Sequence, residues 1–176
     1  MGLSFLIRFL LTSGFVTALL WGRLVHAETV YPFEGVLVEV TSNNRVLLVA
    51  DGDKITKFRL SDLEKITIYE TEIPEIWNGE EGKYQGVLLE DILALAGVMD
   101  VESIRLVALD GYLIELDKEI LQNKCAFIAT RFRKKEIAVE EKGPTRLLLP
   151  CGVKNPDYES TSTSNWIWNL KEIHIE

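Results

Sequence analysis

From Pro32 onward the chain is a succession of short apolar runs of strand length, each closed by turn-forming residues, and only one stretch keeps the periodicity of a helix. That alternation predicts an α+β domain that is mostly β, because several short strands need a second layer to bury their apolar faces. Gly35–Val40 and Val46–Val49, joined across Asn43 and Asn44, read as a hairpin. After the Asp51-Gly52-Asp53 turn, Ile55–Leu60 continues as strand, Ser61-Asp62-Leu63-Glu64 has the spacing of a capping box, and Ile66–Tyr69 resumes strand. Residues 71–86 hold Pro74, Gly79, Gly82 and Gly86 around Trp77, which predicts a long loop. Leu88, Leu89, Ile92, Leu93 and Ala96 then fall on one helical face, Glu90 and Asp91 favour its N-terminal dipole, and Gly97 stops it. Ile104–Leu109 and Tyr112–Leu116 flank Asp110-Gly111, the signature of a hairpin with a two-residue primed turn. Further strands are expected over Cys125–Phe132, Ile137–Val139, Thr145–Leu149 and Trp166–Ile175.

The N-terminus is of a different kind. Arg8 precedes an apolar run from Phe9 to Trp21, and Val25-His26-Ala27 is a small-x-small pattern, as in a secretory signal peptide cleaved after Ala27. The run of 13 residues is shorter than the roughly 20 that a bilayer-spanning helix needs. The expectation is therefore a leader over 1–27 and a single exported, periplasmic domain over 28–176, with no membrane insertion after cleavage. The 149 residues left of 176 suit one core. The leader carries two arginines and no acid, so the formal charge falls from −8 to −10 on its removal. Such a chain is a poor partner for nucleic acid or an anionic membrane surface.

Beyond the leader stand two cysteines, Cys125 and Cys151, and one histidine, His174, which leaves no clustered His/Cys set for zinc or iron. In an oxidising compartment the two cysteines are candidates for a disulfide, the alternative being two buried or functional thiols. Antiparallel pairing in which residue numbers sum to 276 would set them opposite each other. The acids Glu70, Glu72, Glu75, Glu80 and Glu81, with Glu136, Glu140 and Glu141, read as solvated surface rather than paired catalytic carboxylates. Thr161-Ser162-Thr163-Ser164 has no histidine to activate a hydroxyl.

Four motifs in order, Gly82–Leu93 with Ala96-Gly97, Ala108–Tyr112, Gly143–Leu147 and Trp166–Leu170, resemble the molybdopterin-binding domain of sulfite-oxidase-type enzymes. More closely, they resemble its small exported members. The resemblance implies that fold and a pocket for a pterin. Enzymes of the family hold molybdenum through molybdopterin and a protein cysteine placed before the Gly-x-x-Leu-x-x-Leu-Leu helix; here Ile66–Trp77 contains no cysteine. Without that cysteine, the resemblance implies a module that binds a free, non-metallated pterin and is not catalytic. Some exported members with that ability regulate membrane-bound enzymes of cyclic-di-GMP turnover, so the implied partner is the periplasmic domain of a signalling protein. A molybdopterin-dependent oxidoreductase and a periplasmic interaction module are the alternatives.

A pterin is a flat bicycle with a polar amino-pyrimidinone edge, so its site needs a stacking face and edge partners. The candidates are Trp77 in the loop, Asp110 and Tyr112 at the hairpin turn, Arg131 and Arg133 on one strand, Arg146 after Gly143-Pro144, and Trp166 and Trp168, which share a strand face. Each has a plainer reading: Asp110 as a turn former, the two strand arginines as a solvated edge, the last two tryptophans as core. Arg146 leads, because it follows the turn that approaches ligand in the family.

Overall fold

The computed structural model describes residues 29–40, 44–74, 81–123, 126–153 and 165–176. The leader, Trp77 and Cys125 lie outside them, as does the Thr161–Ser164 stretch. The described chain is mixed α+β and mostly β, in two sheets. The first sheet runs β1 (Val30–Pro32), β4 (Tyr69–Ile73), β5 (Gly82–Leu88), β8 (Phe127–Phe132) and β10 (Arg146–Leu148), with β9 (Lys135–Glu136) attached to β8. The second runs β3 (Lys54–Arg59), β2 (Arg45–Asp51), β11 (Leu170–Ile175), β6 (Ser103–Ala108) and β7 (Leu113–Asp117). Between them stand α1 (Leu60–Leu63), α2 (Leu89–Ala96), α3 (Lys118–Asn123), α4 (Pro150–Val153) and a 3-10 turn over Val139–Glu141. No described helix is long and apolar enough to cross a membrane.

One continuous core joins the layers, with Leu47, Val49, Leu106 and Ile173 from the second sheet, Val87, Ile128 and Leu147 from the first, and Ile92 and Leu93 from α2. α2 forms as its sequence dictates. Leu89, Ile92, Leu93 and Ala96 are buried, each large apolar side chain contributing about 1.5–3 kcal/mol. Gly97 ends the helix at φ +76°, where Val98 N–H donates to Leu93 O at 2.9 Å. The chain crosses from one sheet to the other at its C-terminal end: Ile167 bridges to Leu147 of β10, and three residues later β11 enters the middle of the second sheet, parallel to β2 and antiparallel to β6.

Several elements differ from the sequence expectations. Residues 36–40 form no strand, because β2 already has β3 on one side and β11 on the other and offers no free edge. Of the expected 71–86 loop, residues 71–73 and 82–86 are strand instead, β4 pairing β5 with Thr71 opposite Tyr84 and Ile73 opposite Gly82, while 75–80 lie outside the described residues. Gly86 marks close approach rather than a break, since a Cβ there would stand 2.1 Å from Ile128 O. The β6–β7 hairpin forms as expected, but its turn has three residues: Gly111 N–H donates to Ala108 O, Ala108 N–H donates to Tyr112 O, and Gly111 takes φ +86°. Ile137–Val139 gives way to β9 and the 3-10 turn, leaving β8 to pair β10 directly. That pairing sets Leu147 opposite Ile128, one residue away from the expected register. α3 was not foreseen; the Asp117 carboxylate caps it by accepting Ile120 N–H at 2.8 Å.

Candidate functional site

The two faces of the first sheet are chemically different. On one, Tyr31, Glu70, Gln85, Arg131 and Glu136 stand directly opposite one another across successive strands, so a single polar row crosses β1, β4, β5, β8 and β9. Glu70, only 7% exposed, accepts hydrogen bonds from Gln85 Nε2 at 2.7 Å and from Lys83 Nζ and Tyr31 OH, both at 3.2 Å. Burial opposes its charge, but these three donors outweigh it and hold the carboxyl below the usual glutamate range. Gln85 completes the chain by accepting Lys134 N–H at 2.7 Å.

Arg131 is among the largest fully buried side chains of the described residues and is locked in place. Its Nε and Nη2 meet the two oxygens of Glu64 at 2.7 and 2.8 Å, and Nη2 also donates to Val38 O at 2.9 Å. Glu64, which the sequence placed in a capping box, instead serves this ion pair, while the Asp62 carboxylate takes Arg59 N–H. Over the same face opens a cleft of about 910 Å³, lined by Tyr31, Phe33, Lys83, Arg133 and Lys134 among others. The Arg133 guanidinium lies 4.8 Å from the Phe132 ring centre.

On the opposite face, Arg146 follows Ala129 and Gly86 in one cross-strand row. From there the side chain reaches across β8 to Tyr84 on β5. Its Nη1 donates to Tyr84 OH at 3.1 Å, and the guanidinium carbon lies 5.2 Å from that ring's centre. Arg146 is 4% exposed, and burial pushes its pKa down to about 10 while pushing Tyr84 up to about 12. α4 comes back from β10 across β8 and β5 to contact β4, three strands away. Thr71, opposite Tyr84, donates its hydroxyl to Thr29 O at 2.8 Å.

The other candidates gather around Asn169. Its carbonyl accepts Leu109 N–H, its N–H donates to Lys142 O, and its side-chain Nδ2 donates to Val139 O and Gly143 O. Three of the four motifs are thereby stapled together. Asp110 works as a turn former, accepting Tyr112 N–H at 2.9 Å. Tyr112 is exposed, as are the neighbouring Leu109 and Val139. Trp166 and Trp168 do not share a strand face: the first is 4% exposed and the second 42%, with Lys142 Nζ 3.9 Å from the centre of its ring.

The structure therefore distributes the sequence candidates over three places. Arg146 is buried on one face of the first sheet, Arg131 is buried on the other, Arg133 is exposed at the β8–β9 turn with its guanidinium on Phe132, and Asp110, Tyr112 and Trp168 surround Asn169. Arg131 is a structural clamp rather than a solvated edge. Glu70, read as surface, is buried, and Tyr84 was not foreseen. The signal for Glu70 lay in Tyr69-Glu70-Thr71-Glu72-Ile73, an alternation with period two facing Lys83 and Gln85. Cys151 is disulfide-bonded; Cys125 lies outside the described residues. Among the described residues no group of three or more His, Cys, Asp or Glu side chains is placed to hold a metal. No model of a known protein family matches the chain, and no curated protein matches it.

Proposed function

We propose that this chain is an exported pterin-binding protein of the sulfite-oxidase-type molybdopterin-binding fold, working without metal, that regulates a membrane-bound cyclic-di-GMP enzyme through its periplasmic domain. The observation that carries the reading is Arg146, buried on the face of the first sheet opposite the Glu70 row and hydrogen-bonded to Tyr84. A guanidinium in that position offers planar donors to the carbonyl and ring nitrogen of a pterin edge, in surroundings dry enough to strengthen them. Tyr84 sets the guanidinium plane and supplies an aromatic face. Trp77, in the segment that joins β4 to β5, is the second stacking candidate.

The residues fit a pterin better than a molybdenum centre. β4 carries no thiolate, and the Thr71 hydroxyl is committed to the Thr29 carbonyl. Recognition without redox chemistry is the role these groups suit. The exposed apolar side chains around Asn169, Leu109, Tyr112, Val139 and Trp168, offer a rigid surface for the protein partner. Tryptophan fluorescence titrated with reduced and oxidised pterins tests the reading. Saturable quenching by at least one of them, without added metal, is expected. No quenching and no calorimetric heat across the panel would end it.

A further inference from the structure

The cleft on the Glu70 face is lined by groups of both charges. Its charges are segregated by strand order. Glu34, Glu70 and Glu72 lie on the β1–β4 side, whereas Lys83 on β5 and Arg133 and Lys134 in the β8–β9 turn lie on the other. The segregation is held by backbone register: Glu72 pairs Lys83, and Arg133 N–H donates to Lys83 O at 2.8 Å, so acid and base follow one another along a single row. With strands about 4.8 Å apart, the acidic strand and the basic turn stand roughly 10 Å from each other. Tyr31 and Phe33 supply apolar surface in the cleft, with Lys134 Nζ 5.6 Å from the centre of the Phe33 ring.

We propose that this cleft binds a short peptide with free ends, two or three residues long. Its terminal ammonium sits against Glu70 and Glu72, its terminal carboxylate against Arg133 and Lys134, and an apolar side chain rests on Phe33. An extended residue spans about 3.4 Å, so two or three residues cover the distance between the charged sides. The volume of about 910 Å³ lies within the range of small-molecule sites. The Lys83 ammonium already at 3.2 Å from Glu70 marks where a ligand ammonium is accepted, and Lys83, which is exposed, is free to swing toward the ligand. The proposal does not rest on pterin binding, since its groups other than Arg133, whose guanidinium packs on Phe132 beside Tyr84, lie on the face of the sheet opposite Arg146.

Isothermal titration of the purified protein with Ala-Phe-Ala tests it, alongside the N-acetylated, the C-amidated and the doubly blocked peptides. The free-ended peptide is expected to bind with micromolar to millimolar affinity. Blocking either end should weaken binding at least tenfold, and Glu72→Gln and Arg133→Gln, both at exposed positions, should each do the same while circular dichroism and melting temperature stay as in the parent. No heat from the free peptide at millimolar concentration, equal binding of the doubly blocked peptide, or unaltered affinity in both folded variants would overturn the proposal.

Discussion

Breaking the Glu64–Arg131 pair should be the most damaging single change to the first sheet. Glu64→Gln keeps the shape but removes the charge that matches a guanidinium whose side chain is 2% exposed. The bidentate contacts at 2.7 and 2.8 Å are lost as charge-assisted bonds, and the arginine stays buried with Val38 O and Lys134 O as neutral partners. Removing one member of a buried pair costs about 3–5 kcal/mol, against a total stability of about 5–15 kcal/mol for a domain. With a urea slope of about 2 kcal/mol per molar, the unfolding midpoint should fall by roughly 1.5–2.5 M. Trp166, buried, gives the fluorescence signal. The double variant Glu64→Leu/Arg131→Met should recover most of the loss, because neither charge is then buried alone. A single-variant loss below about 1 kcal/mol, or a double variant as weak as the sum of the two singles, would refute the reasoning.

Three further outcomes follow from the same geometry. Gly86→Ala should destabilise by about 1–3 kcal/mol or more in urea titration, because its Cβ would meet Ile128 O at 2.1 Å and the β5–β8 backbones would have to part. Glu70 has a folded-state pKa below its unfolded value, so its contribution is fully present above about pH 5 and is lost as pH falls through the folded pKa. The stability of Glu70→Gln should accordingly vary less than the parent's between about pH 5 and 3 in equilibrium unfolding. Cys151, being disulfide-bonded, should take up no alkylating label in denaturant until reductant is added, as read by peptide mass.

Where local rules and tertiary demands agree, the sequence was legible. α2 has its amphipathic face, its acidic first turn and its terminal glycine within nine residues, and it forms where those signals put it. The β6–β7 hairpin is likewise encoded in its own turn, apart from the left-handed third residue that Gly111 permits. The failures have a common cause, which is that a strand's partner is not written in the strand. Residues 35–40 have the composition of a hairpin arm, yet both edges of β2 are taken by β3 and by the distant β11. Gly86 was read as a breaker because a close approach between backbones and a turn look alike in one dimension. Glu70 was read as surface because its donors, Tyr31, Lys83 and Gln85, come from strands whose register is a tertiary fact. Arg146 stands out in its motif, but its burial and its Tyr84 partner follow only from the register that sets β10 beside β8 and β8 beside β5.

The central claim is that Arg146 reads a pterin edge, and a fluorescence titration of the parent, Arg146→Lys and Tyr84→Phe with one reduced pterin tests it most directly. The parent should bind; Arg146→Lys, which keeps the charge but not the planar fork, should weaken binding by at least tenfold. Tyr84→Phe, which keeps the ring and loses the 3.1 Å bond to the guanidinium, should fall between. Equal pterin affinity in the parent and in a folded Arg146→Lys variant would contradict the account.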